Sequence, residues 1–224
     1  MANDGSIYAD GSTNTQFDLN GRTLTCGGTV SLNGESSVVS SYGTGTFDVR
    51  TGPLYISGTC SVIRDLCFTR TDGEFFASAT VWMSENSTLK LMENCRFDYP
   101  NSGYLLHMGS NSTIEELSHC NGTVGQFLRA APDEGKPASL NNIHDCTLTQ
   151  TFEDLDKPTG WYPHFIDFDC YGDFKMVIGA NNHFESILTN RYFLYSLNHG
   201  ASITVEFTED AVTSGSTFKS PAEQ

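Results

Sequence analysis

The sequence predicts an all-β chain wound as a solenoid, and three observations carry that prediction. Ser, Thr, Asn and Gly make up more than a third of the 224 residues, helix signals are nearly absent, and short alternating or apolar runs are separated by turn residues. One segment type recurs with a period of about 25–29 residues: STLKLMENCRF at 87–97, STIEELSHCNG at 112–122, ASLNNIHDCTL at 138–148 and FKMVIGANNHF at 174–184. Aligned copies place like residues in columns, which a β-sandwich would not require. A coil of this kind cannot bury its apolar residues alone; stacked coils, roughly 4.8 Å apart, turn the columns into ladders and close the backbone hydrogen bonds.

In chain order, residues 1–50 are rich in Gly, Ser, Thr and Asn and carry short strand signals such as Arg22–Thr25 and Phe47–Arg50. They read as an N-terminal cap with the first coils, since a solenoid must protect its open strand edges. Residues 51–207 carry the repeats. One column holds Leu66, Cys95, Cys120, Cys146 and Asn182; another holds Phe68, Phe97, Gly122, Leu148 and Phe184; a third holds Leu89, Ile114, Leu140, Met176 and Ile203. A second segment type alternates with the first: EFFASA (74–79), GYLLHMG (103–109), QFLRAA (126–131), HFIDFDC (164–170) and RYFLYSL (191–197). The coil between Cys146 and Asn182 is longer and contains a loop at 149–163. The best helix candidate is 131–135, and residues 208–224 read as a C-terminal tail or cap. The whole chain is expected to be one domain.

Seven cysteines without a C-x-x-C spacing argue against a zinc knuckle or a redox motif. Their near-regular recurrence marks stacked, reduced core positions. The net charge of −15 opposes nucleic acid and anionic lipid, no run approaches a membrane span, and no signal peptide is visible.

At the I-x-x-C/N-x-F pattern the sequence resembles the right-handed parallel β-helix superfamily, the pectate-lyase-like proteins. The carrying residues are Ile63-Arg-Asp-Leu-Cys-Phe68, Met92-Glu-Asn-Cys-Arg-Phe97, Ile143-His-Asp-Cys-Thr-Leu148 and Gly179-Ala-Asn-Asn-His-Phe184, within a match over roughly 54–207. The resemblance implies a single-stranded right-handed parallel β-helix, here of about seven or eight coils. It leaves activity open, because that superfamily includes lyases, hydrolases, viral tailspikes and non-catalytic adhesins.

Strand parity locates the candidate site. In HFIDFDC, Ile166, Phe168 and Cys170 face the core, and Phe165, Asp167 and Asp169 face out. Across coils the outward column is His107, Arg129, Asp167 and Tyr195, flanked by an apolar row of Leu105, Phe127, Phe165 and Phe193. A glycan would stack on Phe127, Phe165, Phe193 and Tyr195, and on Trp161 and Tyr162 of the long loop. Were the chain an enzyme, Asp167, Asp169, Arg129 and His107 would carry the chemistry. The resemblance weakens that alternative: the hydrolases of the superfamily carry N-x-D, D-D, G-H-G and R-x-K motifs, of which only the fragment Asn198-His199-Gly200 is present, and its lyases need a basic cluster that 12 Lys+Arg scarcely supply. No cofactor is required; calcium at Asp154 and Asp156 is a weak candidate because the loop lacks a regular acidic spacing. His119 and His144 fall near the cysteine column, where they could be ladder neighbours and hold a metal. The expected function is a non-catalytic structural or binding module of a viral or phage appendage or a surface adhesin, at a virion or cell surface, engaging glycan or polysaccharide and open to a homotrimer. The alternative is a polysaccharide lyase or glycoside hydrolase.

Overall fold

The chain forms a parallel β-solenoid, described here from a computed structural model. The structure describes all residues except 1, 4–5, 10–13, 27, 50–51, 71–75, 152–163, 188–191 and 222–224. Each coil contributes one strand to each of three faces. The first face is an eight-strand sheet: Thr15–Asp18, Ser36–Val39, Thr59–Arg64, Thr88–Glu93, Thr113–Ser118, Ala138–His144, Phe174–Ile178 and Ile203–Phe207. The other two faces are joined into one 15-strand sheet because Arg96–Met108 and Asn121–Ala130 run unbroken round the corner between them. Every strand pairing is parallel, as coils stacked in one direction require. The solenoid makes about 6 turns rather than seven or eight. The larger count takes in the end rungs Thr15–Asp18 and Ile203–Phe207, each paired on one side only among the described residues.

The interior is filled by the ladders. On the corner leaving the eight-strand sheet, Cys95, Cys120 and Cys146 stack, fully buried and unbridged. Each thiol lies 3.2–3.4 Å from the carbonyl two residues before it, and a longer contact reaches the neighbouring coil. Asn182 continues the ladder with its own bonds: its Oδ1 accepts from Cys146 N (3.1 Å), and its Nδ2 donates to Ile143 O and Gly179 O (2.8 and 2.9 Å). The aromatic ladder runs in register from Leu24 through Phe47, Phe68, Phe97, Gly122, Leu148 and Phe184 to Phe218. In the third column Met176 pairs with Val205, and Ile203 pairs with Phe174. The expected place of Ile203 was therefore two residues off. A two-residue slip keeps the same face inward, so alternation alone cannot detect it.

Just before the cysteine ladder, Asp65, Asn94, His119, Asp145 and Asn181 all have φ between 51° and 61°. This one left-handed residue per coil turns the chain sharply, and short polar residues tolerate it best. Asn94 Nδ2 donates to Asp65 Oδ1 (2.6 Å) and Asn181 Nδ2 to Asp145 Oδ1 (2.8 Å), so the corner has its own side-chain ladder. The corner that enters the eight-strand sheet repeats a different device. Asn86 and Asn111 are left-handed, and the fully buried hydroxyls of Ser87 and Ser112 bond back to Ser84 O and Gly109 O.

Residues 131–135 form no helix. The one helix among the described residues is Glu209–Thr213, where Thr208 caps the N-terminus by accepting from Ala211 N. In the same C-terminal segment, Thr217–Lys219 adds a strand beside His183–Ser186. No helix of the described residues is long and apolar enough to cross a membrane.

Candidate functional site

The face that holds the site is built by Ile7–Ala9, Val30–Leu32, Leu54–Ile56, Phe76–Met83, the second halves of Arg96–Met108 and Asn121–Ala130, Ile166–Cys170 and Leu194–Asn198. Alternation sets which side chains leave it. Leu106, Leu128 and Ile166 pair in one inward column, and Met108, Ala130 and Phe168 in another; all six are buried. Between these two columns, pointing out, His107 pairs with Arg129, Arg129 with Asp167, and Asp167 with Tyr195. The column continues the other way through Trp82, Tyr55, Ser31 and Tyr8. The expected outward column is therefore present and twice as long as the sequence suggested.

The flanking apolar row is not outside. Leu105 is 2% exposed, and Phe127 and Phe165 are 0% exposed. Phe127 lies tilted against Phe165 (5.6 Å), Phe165 stacks on Phe193 (4.7 Å), and Phe193 is partly buried against the same core. The reason is the corner. Asn121–Ala130 bends between faces, the pairing register shifts between Tyr99 and Tyr104, and strict alternation fails there. Phe127 and Phe165 thus offer no ring face to a ligand on the outside, and Phe193 is only partly open. Tyr195 remains half-buried on the outer column, with His164 stacked on it at 4.2 Å. Trp161, Tyr162, Asp154 and Asp156 lie outside the described residues.

His107, Arg129, Asp167 and Asp169, the four candidates for chemistry, do come together. Arg129 Nη2 donates to Asp169 Oδ2 at 2.8 Å. The guanidinium also lies over the Tyr104 ring, 5.5 Å from its centroid. His199 Nε2 sits 3.3 Å from Asp169 Oδ1, and its ring stacks on Tyr171 at 4.0 Å, nearly coplanar in tilt. Trp82 stacks on His107 at 3.8 Å. Beside His199 the surface opens into a hollow lined by Glu134, Pro137, Tyr171, Asp173 and Gly200.

Three polar atoms on consecutive rungs of this column are buried without a hydrogen-bond partner: His107 Nδ1, Arg129 Nε and Asp167 Oδ1. Their surroundings shift their chemistry. Burial lifts the Asp167 carboxyl to about 6; Arg129 opposes the shift and the charge of Asp169 adds to it. Burial, with Arg129 alongside, pushes His107 down to about 4. Burial also works against the charge on Arg129, and Tyr104, Asp169 and Asp167 outweigh it. At neutral pH the column thus holds a neutral imidazole, a fixed guanidinium and a carboxylate that takes up a proton only a little below neutrality.

Trp82, Tyr55, Tyr104 and Tyr171 escaped the sequence reading. Trp82 and Tyr55 carried a usable signal, since each is the middle residue of an in–out–in triplet, Val81-Trp82-Met83 and Leu54-Tyr55-Ile56. Tyr104 and Tyr171 carried none, because they lie at the corner and just after a strand. His199 was visible only as a motif fragment, and the fold gives it a partner in Asp169.

A second group of ligand-type side chains lies on the left-handed corner. His119, His144 and Asp145 each place one donor atom within 4.8 Å of the others. His119 is not the direct ladder neighbour of His144. The backbone of His119 donates to His144 O, so the two rings meet diagonally, edge to face at 5.8 Å.

No family model matches the chain, and no curated protein and no solved structure matches it.

Proposed function

We propose that the chain binds a polyhydroxylated ligand, an oligosaccharide or polysaccharide, laid along the outward column centred on His107, Arg129 and Asp167. The observation that supports this reading is the row of three unpartnered polar atoms on consecutive rungs. A buried polar atom left unpaired costs about 1–3 kcal/mol. The row mixes an N–H donor at Arg129, an acceptor at Asp167 and an imidazole nitrogen at His107, and hydroxyl groups both donate and accept. Rungs roughly 4.8 Å apart space these side chains at a repeat suited to successive units of a chain ligand, whose docking would turn the three buried atoms toward it. Trp82 and Tyr195 bracket the row, each with one ring face taken by an imidazole, His107 and His164, and the rest of each ring suits the apolar face of a sugar. The ion pair between Arg129 and Asp169 holds the centre in place. As a non-catalytic module, such a solenoid would present its ligand column as surface, in the manner of an appendage or adhesin.

A second reading has its own support. The carboxyl of Asp167, lifted to about 6 beside Asp169, suits a proton donor in glycoside cleavage, which needs two carboxyls in different states. One pair of assays separates the readings. On a glycan array, the intact chain should retain at least one saccharide class, and Arg129→Ala should lose that binding tenfold or more. Equal retention by Arg129→Ala and the intact chain would sink the proposal. With the retained glycan, release of reducing ends that Asp167→Asn abolishes, while binding survives, would decide for catalysis; the absence of product would decide for binding alone.

A further inference from the structure

We propose that His119, His144 and Asp145, on the left-handed corner between the Thr113–Ser118 and Ala138–His144 rungs, form a binding site for a first-row transition-metal dication of the zinc type. The site is separate from the saccharide column, which lies on another face, and does not depend on it.

The donor set points to this class of ion. Two imidazoles and one carboxylate suit zinc and its neighbours, whereas calcium and magnesium prefer oxygen alone. The three donor atoms already lie within 4.8 Å of one another. Around a tetrahedral ion with bonds of about 2.0–2.1 Å, donor atoms sit roughly 3.4 Å apart. Side-chain adjustment of up to about 1.4 Å closes the widest separation, the close pair of His144 Nδ1 and Asp145 Oδ2 opens by about 0.7 Å, and His119 is exposed. The corner backbone is fixed, because His119 and Asp145 occupy successive positions of the left-handed ladder.

His144 is arranged as a ligand. Its Nε2 lies 3.3 Å from Glu116 Oε1, and its Nδ1 lies 2.7 Å from Asp145 Oδ2. One ring nitrogen of His144 thus faces Asp145 and the other faces Glu116, so a carboxylate stands behind the imidazole. A carboxylate behind a ligating imidazole also fixes its tautomer and raises its basicity. Asn181 Nδ2 holds the other oxygen of Asp145 at 2.8 Å, so Oδ2 is the one presented. Three protein ligands on an exposed corner leave a fourth position for water or for a donor from a partner.

The binding partner to test is zinc ion itself, titrated calorimetrically into the full chain after treatment with chelator. We expect one saturable site, and a rise in melting temperature of roughly 5–10 °C at a hundredfold excess of zinc over its dissociation constant, reversed by chelator. His119→Asn should weaken zinc binding at least tenfold. Asn is the residue that the same ladder uses at positions 94 and 181, so this variant keeps the turn, and its melting temperature in chelator should match that of the intact chain. His144→Gln should weaken binding as much. Cobalt in place of zinc should give visible bands of nitrogen and oxygen ligation with no thiolate charge-transfer band, which separates this corner from binding at a cysteine. Undiminished zinc binding by His119→Asn, a thiolate band, or the absence of any saturable site would each overturn the proposal.

Discussion

At the residue scale, the outward column puts two groups with opposite proton preferences on nearby rungs. Folding raises the proton affinity of Asp167 from an ordinary 3.8 to about 6, and lowers that of His107 from 6.5 to about 4. For Asp167 the native state binds the proton better, so the stability it contributes is present below about pH 4 and is lost as pH rises toward 6. His107 does the reverse: its contribution is present above 6.5 and is lost as pH falls toward 4. The two offset each other in the intact chain. Asp167→Asn should therefore steepen the rise of stability with pH between about 4 and 6.5, by about 1–2 kcal/mol since the carboxyl is partly open to solvent, and His107→Gln should turn the same window downward, by up to about 3 kcal/mol. Urea denaturation across that window would show it. Parallel stability–pH curves for all three proteins would mean that burial does not perturb these groups in the folded chain.

At the scale of one element, the cysteine ladder and its asparagine end show how a solenoid corner is satisfied. A thiol is small and weakly polar, so Cys95, Cys120 and Cys146 fill the corner and need only nearby carbonyls. Asn182 replaces a thiol with an amide that makes three buried hydrogen bonds. Asn182→Ala would leave Cys146 N–H and two carbonyls with a partner removed, and open a cavity. We expect a loss of about 2–4 kcal/mol, read from the urea midpoint. A loss below about 1 kcal/mol would show that the corner relaxes around the gap. Gly122 marks the opposite limit. With φ of 132° and the Phe97 carbonyl standing where a Cβ would sit, it is the one position of the aromatic ladder that can hold no side chain. The pattern of the ladder shows Gly122 as a break, and the close approach of two backbones explains it.

At the scale of the whole molecule, each rung is stabilised by its neighbours, so the middle of the stack is better supported than the ends. The interior side chains of central rungs, Leu89, Ile114, Leu140 and Phe168 among them, are fully buried. On the last rung Leu194 and Leu197 are each 45% exposed and Phe207 is 53% exposed. Amide hydrogen exchange should therefore be slowest in Thr88–Glu93, Thr113–Ser118 and Ala138–His144, and faster by orders of magnitude in Thr15–Asp18 and Ile203–Phe207. Uniform protection along the stack would mean that the chain unfolds as a single unit.

The sequence by itself determined the architecture. Columns such as Leu66, Cys95, Cys120, Cys146 and Asn182 exist because identical corners recur in every coil, and a repeat that stacks on itself writes its geometry into the spacing. Alternation likewise determined that His107, Arg129, Asp167 and Asp169 share the outer surface, because the two-residue period of a strand holds wherever the strand is straight. The tertiary structure alone decided what happens where the strand is not straight. The bend within Asn121–Ala130 turns Phe127 into the core, Phe165 is buried beside it at the corner before Ile166–Cys170, and the slip that seats Val205 instead of Ile203 leaves no trace in the pattern. Contacts between distant coils were out of reach for the same physical reason. Asp169 and His199 are 30 residues apart, and Arg129 and Asp169 are 40 apart across the long coil. Side-chain direction, burial and pairing across that distance follow from how the coils stack, which local periodicity does not encode.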